Sequence, residues 1–106
     1  MTKNTKSLQQ PDLPIGLYDA VKRVSAVSGR TMASIYNSAI EQALMEYIDH
    51  PVEIPIMRER KYKRLTTMIN IDENDKATID RICNEQNIYQ ADFIRWAFKL
   101  YFEDDK

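Results

Sequence analysis

The chain has 106 residues, of which 43% are hydrophobic and 29% charged, which is typical of one small domain or two very small ones and excludes a disordered chain. Its 15 Lys and Arg and 16 Asp and Glu give a net charge of -1, so the total charge indicates no particular partner. Only 2 Gly and 4 Pro occur, which favours a helical protein over a turn-rich β-sandwich or barrel.

Composition also argues against several kinds of site. With 1 Cys and 1 His, the chain can form neither an internal disulfide nor a closed zinc site, and we expect no metal or cofactor. No apolar run approaches the roughly 20 residues that cross a bilayer, and the segment MTKNTKSLQQ lacks the apolar core of a signal peptide. We therefore expect a cytoplasmic protein without a membrane partner, in the host cytoplasm if the protein is viral.

The first half of the chain, residues 1–49, predicts one strand and two helices. The strand, Ser7–Leu13, is weak because it contains a proline, which cannot donate to a β-ladder. Pro14 fits the first turn of the helix that follows, and Gly29 is suited to end that helix in the left-handed conformation. Thr31 is then a candidate N-cap for a second helix with a broad apolar face.

A linker is predicted at residues 50–62, where two prolines oppose helix continuation. Its C-terminal part belongs to the most basic stretch of the chain, Arg58–Arg64, which carries 5 positive charges and 1 negative charge. Such a run is often only a solvated segment. Here it leads directly into the clearest strand of the sequence.

The second half, residues 63–106, has the same order of elements. Leu65–Ile71 is rich in β-branched residues and predicts a strand. Asp72 is a candidate N-cap for a helix that ends at Asn87. A second helix is predicted from near Tyr89 to about Glu103. It is apolar around so much of its circumference that it must be buried on several sides.

The two halves are copies of one pattern. A shift of 58 positions places Leu13 on Ile71, Ala39 on Ala97 and Gly29 on Asn87 without any insertion. A single strand–helix–helix unit cannot bury such an apolar helix, but a second unit can. We therefore predict a mainly α fold in which two modules pair short antiparallel β-strands over four helices.

This repeated pattern resembles the ribbon-helix-helix family of DNA-binding proteins, the Arc, MetJ and CopG group. Lys63–Phe102 looks like a complete module, and Leu8–Ile48 looks like a second one with a degraded strand. The layout is similar to that of the tandem regulators of archaeal filamentous viruses and conjugative plasmids. The resemblance implies a two-stranded ribbon inserted in the major groove of duplex DNA, and a sequence-specific transcriptional regulator that acts as a repressor.

Strand alternation predicts which side chains the ribbon would present to bases. Ile69 and Ile71 must face the helices because they are apolar. The outward residues of the second strand are then Thr66, Met68 and Asn70. The corresponding residues of the first strand are Leu8, Gln10 and Asp12. Asn and Gln can read adenine, whereas a carboxylate faces phosphates unfavourably unless it accepts from a cytosine amino group. The alternative is that these outward side chains are ordinary exposed strand residues that contact no base.

Contacts with DNA phosphates are the second implication of the resemblance. The N-terminus of the second helix in each half presents backbone N–H groups and the positive end of the helix dipole. Basic residues beside the strands would add a salt-dependent attraction. The candidates for phosphate contact are Lys6, Thr31, Met32, Arg58, Arg60, Lys61, Lys63, Arg64, Tyr89 and Gln90. Thr31 can also serve only as an N-cap, and the two roles are compatible.

An enzyme is not expected, because no motif brings together an acid, a base and a nucleophile. His50 reads as part of the linker and Cys83 as a small core residue. Two other functions stay open: an accessory DNA-binding protein of plasmid transfer, and an antitoxin-like interaction module whose aromatic last helix forms an oligomer interface. The modules can pair within one chain or between two, and we expect a homodimer or a cooperative assembly on DNA.

Overall fold

A computed structural model describes residues 5–8, 12–56, 61–64 and 69–103, for which it shows a mainly helical fold with two small antiparallel sheets. The elements in chain order are β1 (Thr5–Leu8), β2 (Asp12–Pro14), α1 (Ile15–Ser28), α2 (Met32–Asp49), β3 (Tyr62–Arg64), β4 (Ile69–Asp72), α3 (Glu73–Gln86) and α4 (Gln90–Glu103). The predicted mainly α class with four helices is confirmed.

Each sheet takes one strand from each half of the chain. β1 pairs antiparallel with β4, which places Leu8 opposite Ile69, and β2 pairs antiparallel with β3, which places Leu13 opposite Lys63. The sequence prediction missed β3, which lies within the basic stretch and begins at Tyr62, the last residue of the predicted linker. Because every strand pairs across the halves, neither half forms a sheet from the described strands by itself.

The 58-residue repeat extends to the first residue of each helix. α1 and α3 are each 14 residues long and begin at Ile15 and Glu73, and α2 and α4 begin at Met32 and Gln90. The residues that end the first helix of each half are Gly29 and Asn87. Both have a left-handed backbone, with φ of 71° and 56°, so the predicted helix stops are confirmed.

Both predicted N-caps are confirmed, the predicted start of α4 near Tyr89 agrees to within a residue, and the predicted start of α1 is shifted by a residue. The Asp72 side chain accepts a hydrogen bond from the Asn74 N–H at 2.8 Å, and the Thr31 hydroxyl accepts one from the Ser34 N–H at 3.2 Å. Pro14 lies outside the first turn of α1, contrary to the prediction. Its ψ of 142° is extended, so it ends β2 and occupies the N-cap position, without a side-chain cap, of the helix that begins one residue later.

The core lies between the strands and the two second helices of the halves. Leu13, Ile69, Tyr36 and Phe98 are all fully buried, and the rings of Tyr36 and Phe98 stack with centroids 5.1 Å apart. Burial of a Leu, Ile or Phe side chain of this kind contributes about 1.5–3 kcal/mol. Trp96 of α4 is also buried within the single chain. For Trp96 and Phe98, core packing is therefore the correct interpretation of the aromatic last helix.

The segment that follows α2 is anchored to the helices of both halves. Ile54 is buried, and its N–H donates to Gln86 Oε1 at 2.8 Å. The Gln86 side-chain amide donates in turn to the Tyr47 hydroxyl at 2.7 Å and to the Val52 carbonyl at 2.8 Å. One glutamine at the end of α3 thus holds the predicted linker against α2.

Cys83 is a buried residue of α3, as predicted from the sequence. Burial, with smaller contributions from the carboxylates of Asp80 and Asp92, raises the pKa of its thiol from 9.0 to about 11. A buried thiol with a raised pKa is a poor nucleophile, because the thiolate is the reactive form.

Replacement of Gly29 tests the left-handed helix stop. Gly29→Ala should lower the free energy of unfolding by about 1–2 kcal/mol, because a Cβ is unfavourable at this φ even though it meets no atom within 4 Å. Gly29→Asn, the matched control, should cost less, since Asn87 holds the equivalent position. Urea denaturation of both variants checks this, and equal losses would contradict the conformational explanation.

The Cys83 thiol predicts a pH dependence of stability. Its folded pKa of about 11 exceeds the ordinary 9.0. The stability that the buried neutral thiol contributes is therefore fully present below pH 9 and is lost as the pH rises towards 11. The difference in unfolding free energy between the wild type and Cys83→Ala should therefore shrink between pH 8 and pH ~10.5. Urea denaturation under reducing conditions measures it, and a constant difference would contradict the raised pKa.

Candidate nucleic-acid interface

The β1–β4 pair has one buried and one exposed face. Ile69 and Ile71 are buried and Asn70 between them is exposed, which confirms the predicted alternation for these three residues. Ser7 lies directly opposite Asn70, and its hydroxyl donates to Asn70 Oδ1 at 2.9 Å. This hydrogen bond fixes which end of the amide faces Ser7.

The prediction for the first strand is corrected at one residue. Leu8 was expected to face outward, but it is buried opposite Ile69, and Ser7 is exposed instead. Asp12 does lie outward, as predicted, since its neighbour Leu13 is fully buried. The prediction assumed one unbroken alternation. The described part of the first strand instead belongs to two separate short ladders, each with its own register.

The β2–β3 pair presents an ion pair on its exposed face. Asp12 lies directly opposite Arg64, and Arg64 Nε is 3.4 Å from Asp12 Oδ1. The side chains are 45% and 71% exposed respectively, so the pair contributes less than about 1 kcal/mol to stability. Its significance lies in position: residues directly opposite each other in an antiparallel pair point to the same face. Arg64 therefore faces outward with Asp12.

Lys63 lies on the opposite face of β3. It pairs with the buried Leu13, and its ammonium group lies 4.9 Å from the centre of the Tyr18 ring. Lys22 approaches the same ring at 5.1 Å. Lys61 precedes β3, is exposed, and its carbonyl accepts from the Ile15 N–H at 3.3 Å. The predicted phosphate-contact residues of this strand thus divide between its two faces.

The N-terminal part of α4 is connected to β2 through Arg95. Arg95 Nε donates to the Asp12 carbonyl at 2.6 Å, and Arg95 Nη1 donates to Asp92 Oδ1 at 3.1 Å. The other oxygen of the buried Asp92 accepts from the Tyr89 N–H at 2.9 Å. Gln90 Nε2 donates to Asp80 Oδ1 at 3.1 Å. Because the start of α4 already contains a carboxylate, it is less suited to contact a phosphate than the start of α2 is.

The start of α2 contains a cation that the sequence analysis missed. The Arg30 guanidinium donates to the hydroxyls of Ser34, Ser38 and Tyr101 at 3.0, 2.6 and 3.1 Å. Within the described residues, Arg30 forms no ion pair with a carboxylate. Its place directly before the N-cap Thr31 is the sequence signal that could have identified it. The first turn of α2 contains no acidic residue.

Several predicted site residues cannot be compared with the structure. Gln10, Arg58, Arg60, Thr66 and Met68 lie outside the described residues, and for Lys6 only the backbone, in β1, is described. The remaining candidate, Met32, is half-buried and packs against the core. The described candidates at the strands are therefore Asn70, Lys61, Lys63 and Arg64.

The described part of the chain has three other features that bear on function: its metal-ligating side chains, a cavity and the apolarity of its helices. No three His, Cys, Asp or Glu side chains there are grouped closely enough to hold a metal ion. An open cavity of about 820 Å³ is lined by Tyr47, residues 51–56 and residues 86–88, none of which belongs to a strand. None of the helices described has the length and apolarity required to span a membrane.

Comparison of the chain with protein-family models, with curated proteins and with solved structures finds no match.

Proposed function

We propose that this chain is a sequence-specific duplex DNA-binding protein that regulates transcription as a repressor, and that its two halves are tandem ribbon-helix-helix modules. The observation that carries the proposal is the position of Asn70, exposed between two buried isoleucines on a strand that pairs across the halves. An amide in this position can offer a donor and an acceptor to the edge of an adenine.

The dimensions of paired strands support insertion into DNA. Neighbouring strands lie about 4.8 Å apart, and the major groove, about 12 Å wide, admits a two-stranded ribbon. The inner face of the paired strands is held on the helical core by Leu8, Leu13 and Ile69. The outer face is left polar, with Ser7 and Asn70 in one pair of strands and Asp12 and Arg64 in the other.

Local charge supports contact with phosphates despite the net charge of -1. Lys61 and Lys63 are exposed beside and in β3, and Arg30 is exposed at the start of α2. A cation that neutralises a phosphate releases a condensed counterion, so each contact adds about 0.9 to the slope of log K against log salt concentration. The local field of such a group matters more for binding than the total charge.

An accessory role in plasmid transfer would use the same outer face, so the proposal holds for the DNA-binding step in both cases. The alternative is an interaction module without strong DNA binding, and a binding measurement distinguishes the two. Fluorescence anisotropy should show binding of the full chain to a random duplex at about 50 mM salt, weakening steeply by about 200 mM. No measurable binding near 50 mM salt would overturn the proposal and favour the interaction module.

Two variants should separate base reading from phosphate contact. Asn70→Ala should weaken binding to a selected site by about 1–3 kcal/mol while leaving affinity for random duplex nearly unchanged, because it removes a contact with a base edge. Lys61→Ala should weaken binding to all duplexes and lower the salt slope by about 1. Anisotropy titrations at several salt concentrations measure both effects.

Lys99→Ala is the matched control for these titrations. It removes an exposed cation from the C-terminal half of α4, away from the paired strands in sequence, and should change neither quantity. Equal effects of the Asn70 and Lys61 substitutions on random and selected duplexes would contradict the assignment of roles.

A further inference from the structure

The two repeats place different chemistry at one equivalent position of the exposed face. Asp12 and Asn70 are 58 residues apart, and each lies two residues before the N-cap of the first helix in its half. Each is also adjacent to a buried residue of the same strand, Leu13 or Ile71, so both side chains point away from the core. One is a carboxylate and the other a neutral amide.

The cross-strand partners make this difference larger. Asn70 is paired with the hydroxyl of Ser7, so this end of the face carries uncharged donors and acceptors. Asp12 is paired with the guanidinium of Arg64. The other end of the face therefore carries a carboxylate, which accepts hydrogen bonds, and a planar fork of guanidinium N–H groups, which donate them. Arg95 holds the backbone carbonyl of Asp12 at 2.6 Å, which keeps this end of the strand in place.

These two pairs match different base pairs in the major groove. An Asn amide pairs with adenine N6 and N7, whereas Arg pairs with guanine O6 and N7, and Asp accepts from cytosine N4. The Asp12–Arg64 pair therefore carries an acceptor for cytosine beside a donor fork for guanine. Arg64, a candidate for phosphate contact from the sequence, points outward opposite Asp12 and therefore lies on the same face as Asn70.

We propose that the Asp12–Arg64 pair reads a G·C base pair while Asn70 reads an A·T pair, so the chain recognises a site without two-fold symmetry and binds it in one orientation. This inference rests on the proposed DNA-binding function and adds the form of the site. A two-fold symmetric reader would present identical residues at both ends. Here a single chain supplies both strands of each pair, and the equivalent residues differ.

The starts of the second helices also differ in charge between the halves. α2 begins beside the exposed Arg30 with no acid in its first turn, whereas the first turn of α4 contains the buried Asp92. The residue equivalent to Arg30 in the second half is Ile88, which is partly buried against the core. Cation and carboxylate are thus distributed unequally between the halves, as expected for a protein that meets two unlike half-sites.

Selection from a random duplex library tests the assignment of bases. The wild type should enrich a non-palindromic sequence with A·T at one end and G·C at the other. Arg64→Ala should lose the G·C preference, by about tenfold or more in relative affinity, and keep the A·T preference. Asn70→Ala should do the reverse. A palindromic consensus in a site that binds a single chain, or loss of the same base pair in both variants, would overturn the proposal.

Arg64→Lys separates base reading from charge. Lysine keeps the positive charge but lacks the planar donor fork, so the variant should lose much of the guanine preference while its salt dependence stays that of the wild type. Unchanged guanine preference would contradict a role for the guanidinium fork. Thermal unfolding followed by circular dichroism should show near-wild-type stability, since the Asp12–Arg64 pair is exposed.

The orientation is measured by energy transfer between protein and DNA. Val27→Cys and Glu85→Cys place a donor dye at exposed positions 58 residues apart, and buried Cys83 should react slowly with the dye. With an acceptor at one end of the selected duplex, the two proteins should give different transfer efficiencies, which exchange when the acceptor is moved to the other end. Equal efficiencies with either end would show random orientation and overturn the proposal.

The two proposals fail in different ways. If no duplex is enriched and none is bound at low salt, the DNA-binding function itself is wrong. If a duplex is bound tightly but the site of a single chain is palindromic or its orientation is random, only the asymmetric reading is wrong.

Discussion

Pairing of strands across the two halves is the constraint on which the remaining structure depends. β1 needs β4 and β2 needs β3 as hydrogen-bonding partners, and these ladders bring Leu8 and Leu13 into the same core as Ile69. The same arrangement stacks Tyr36 of the first half on Phe98 of the second. A half-chain would leave its strand edges unpaired and its second helix exposed, so the halves must fold together.

The pairing also determines what the exposed face contains. Once the apolar side chains of the strands are fixed on the core, the residues between them must point to solvent, whatever their chemistry. In a homodimer both ends of such a face are identical by symmetry. In this chain the repeat lets them differ, and Asp12 with Arg64 replaces the neutral pairing of Ser7 with Asn70. A single polypeptide can thus present unlike residue pairs at the two ends of this face.

Features fixed by local physical chemistry could be predicted from the sequence. Gly29 and Asn87 tolerate the left-handed backbone, and Thr31 and Asp72 accept hydrogen bonds from nearby N–H groups. These effects act within one turn, so a short stretch of sequence contains all the partners. The burial of Ile69 and Ile71 and the exposure of Asn70 between them followed from alternation in the same way.

Features that depend on register or on distant partners could not be predicted. Three residues separate Leu8 from Asp12 on the first strand, whereas four separate Arg64 from Ile69 on the second, so the two ladders differ in register by one residue. Continuous alternation therefore misplaced Leu8 and gave no sign that Arg64 faces Asp12. The contact of Arg30 with the hydroxyl of Tyr101 likewise joins residues from opposite halves.

The most direct measurement of the central claim is a map of backbone amide signals on addition of duplex DNA to ¹⁵N-labelled protein. If the outer face of the paired strands is the binding surface, the largest shifts should occur at Ser7, Asp12, Arg64 and Asn70, with smaller ones at Arg30 and Thr31. Shifts confined to the cavity around Ile54, with the strand signals unchanged, would contradict the account.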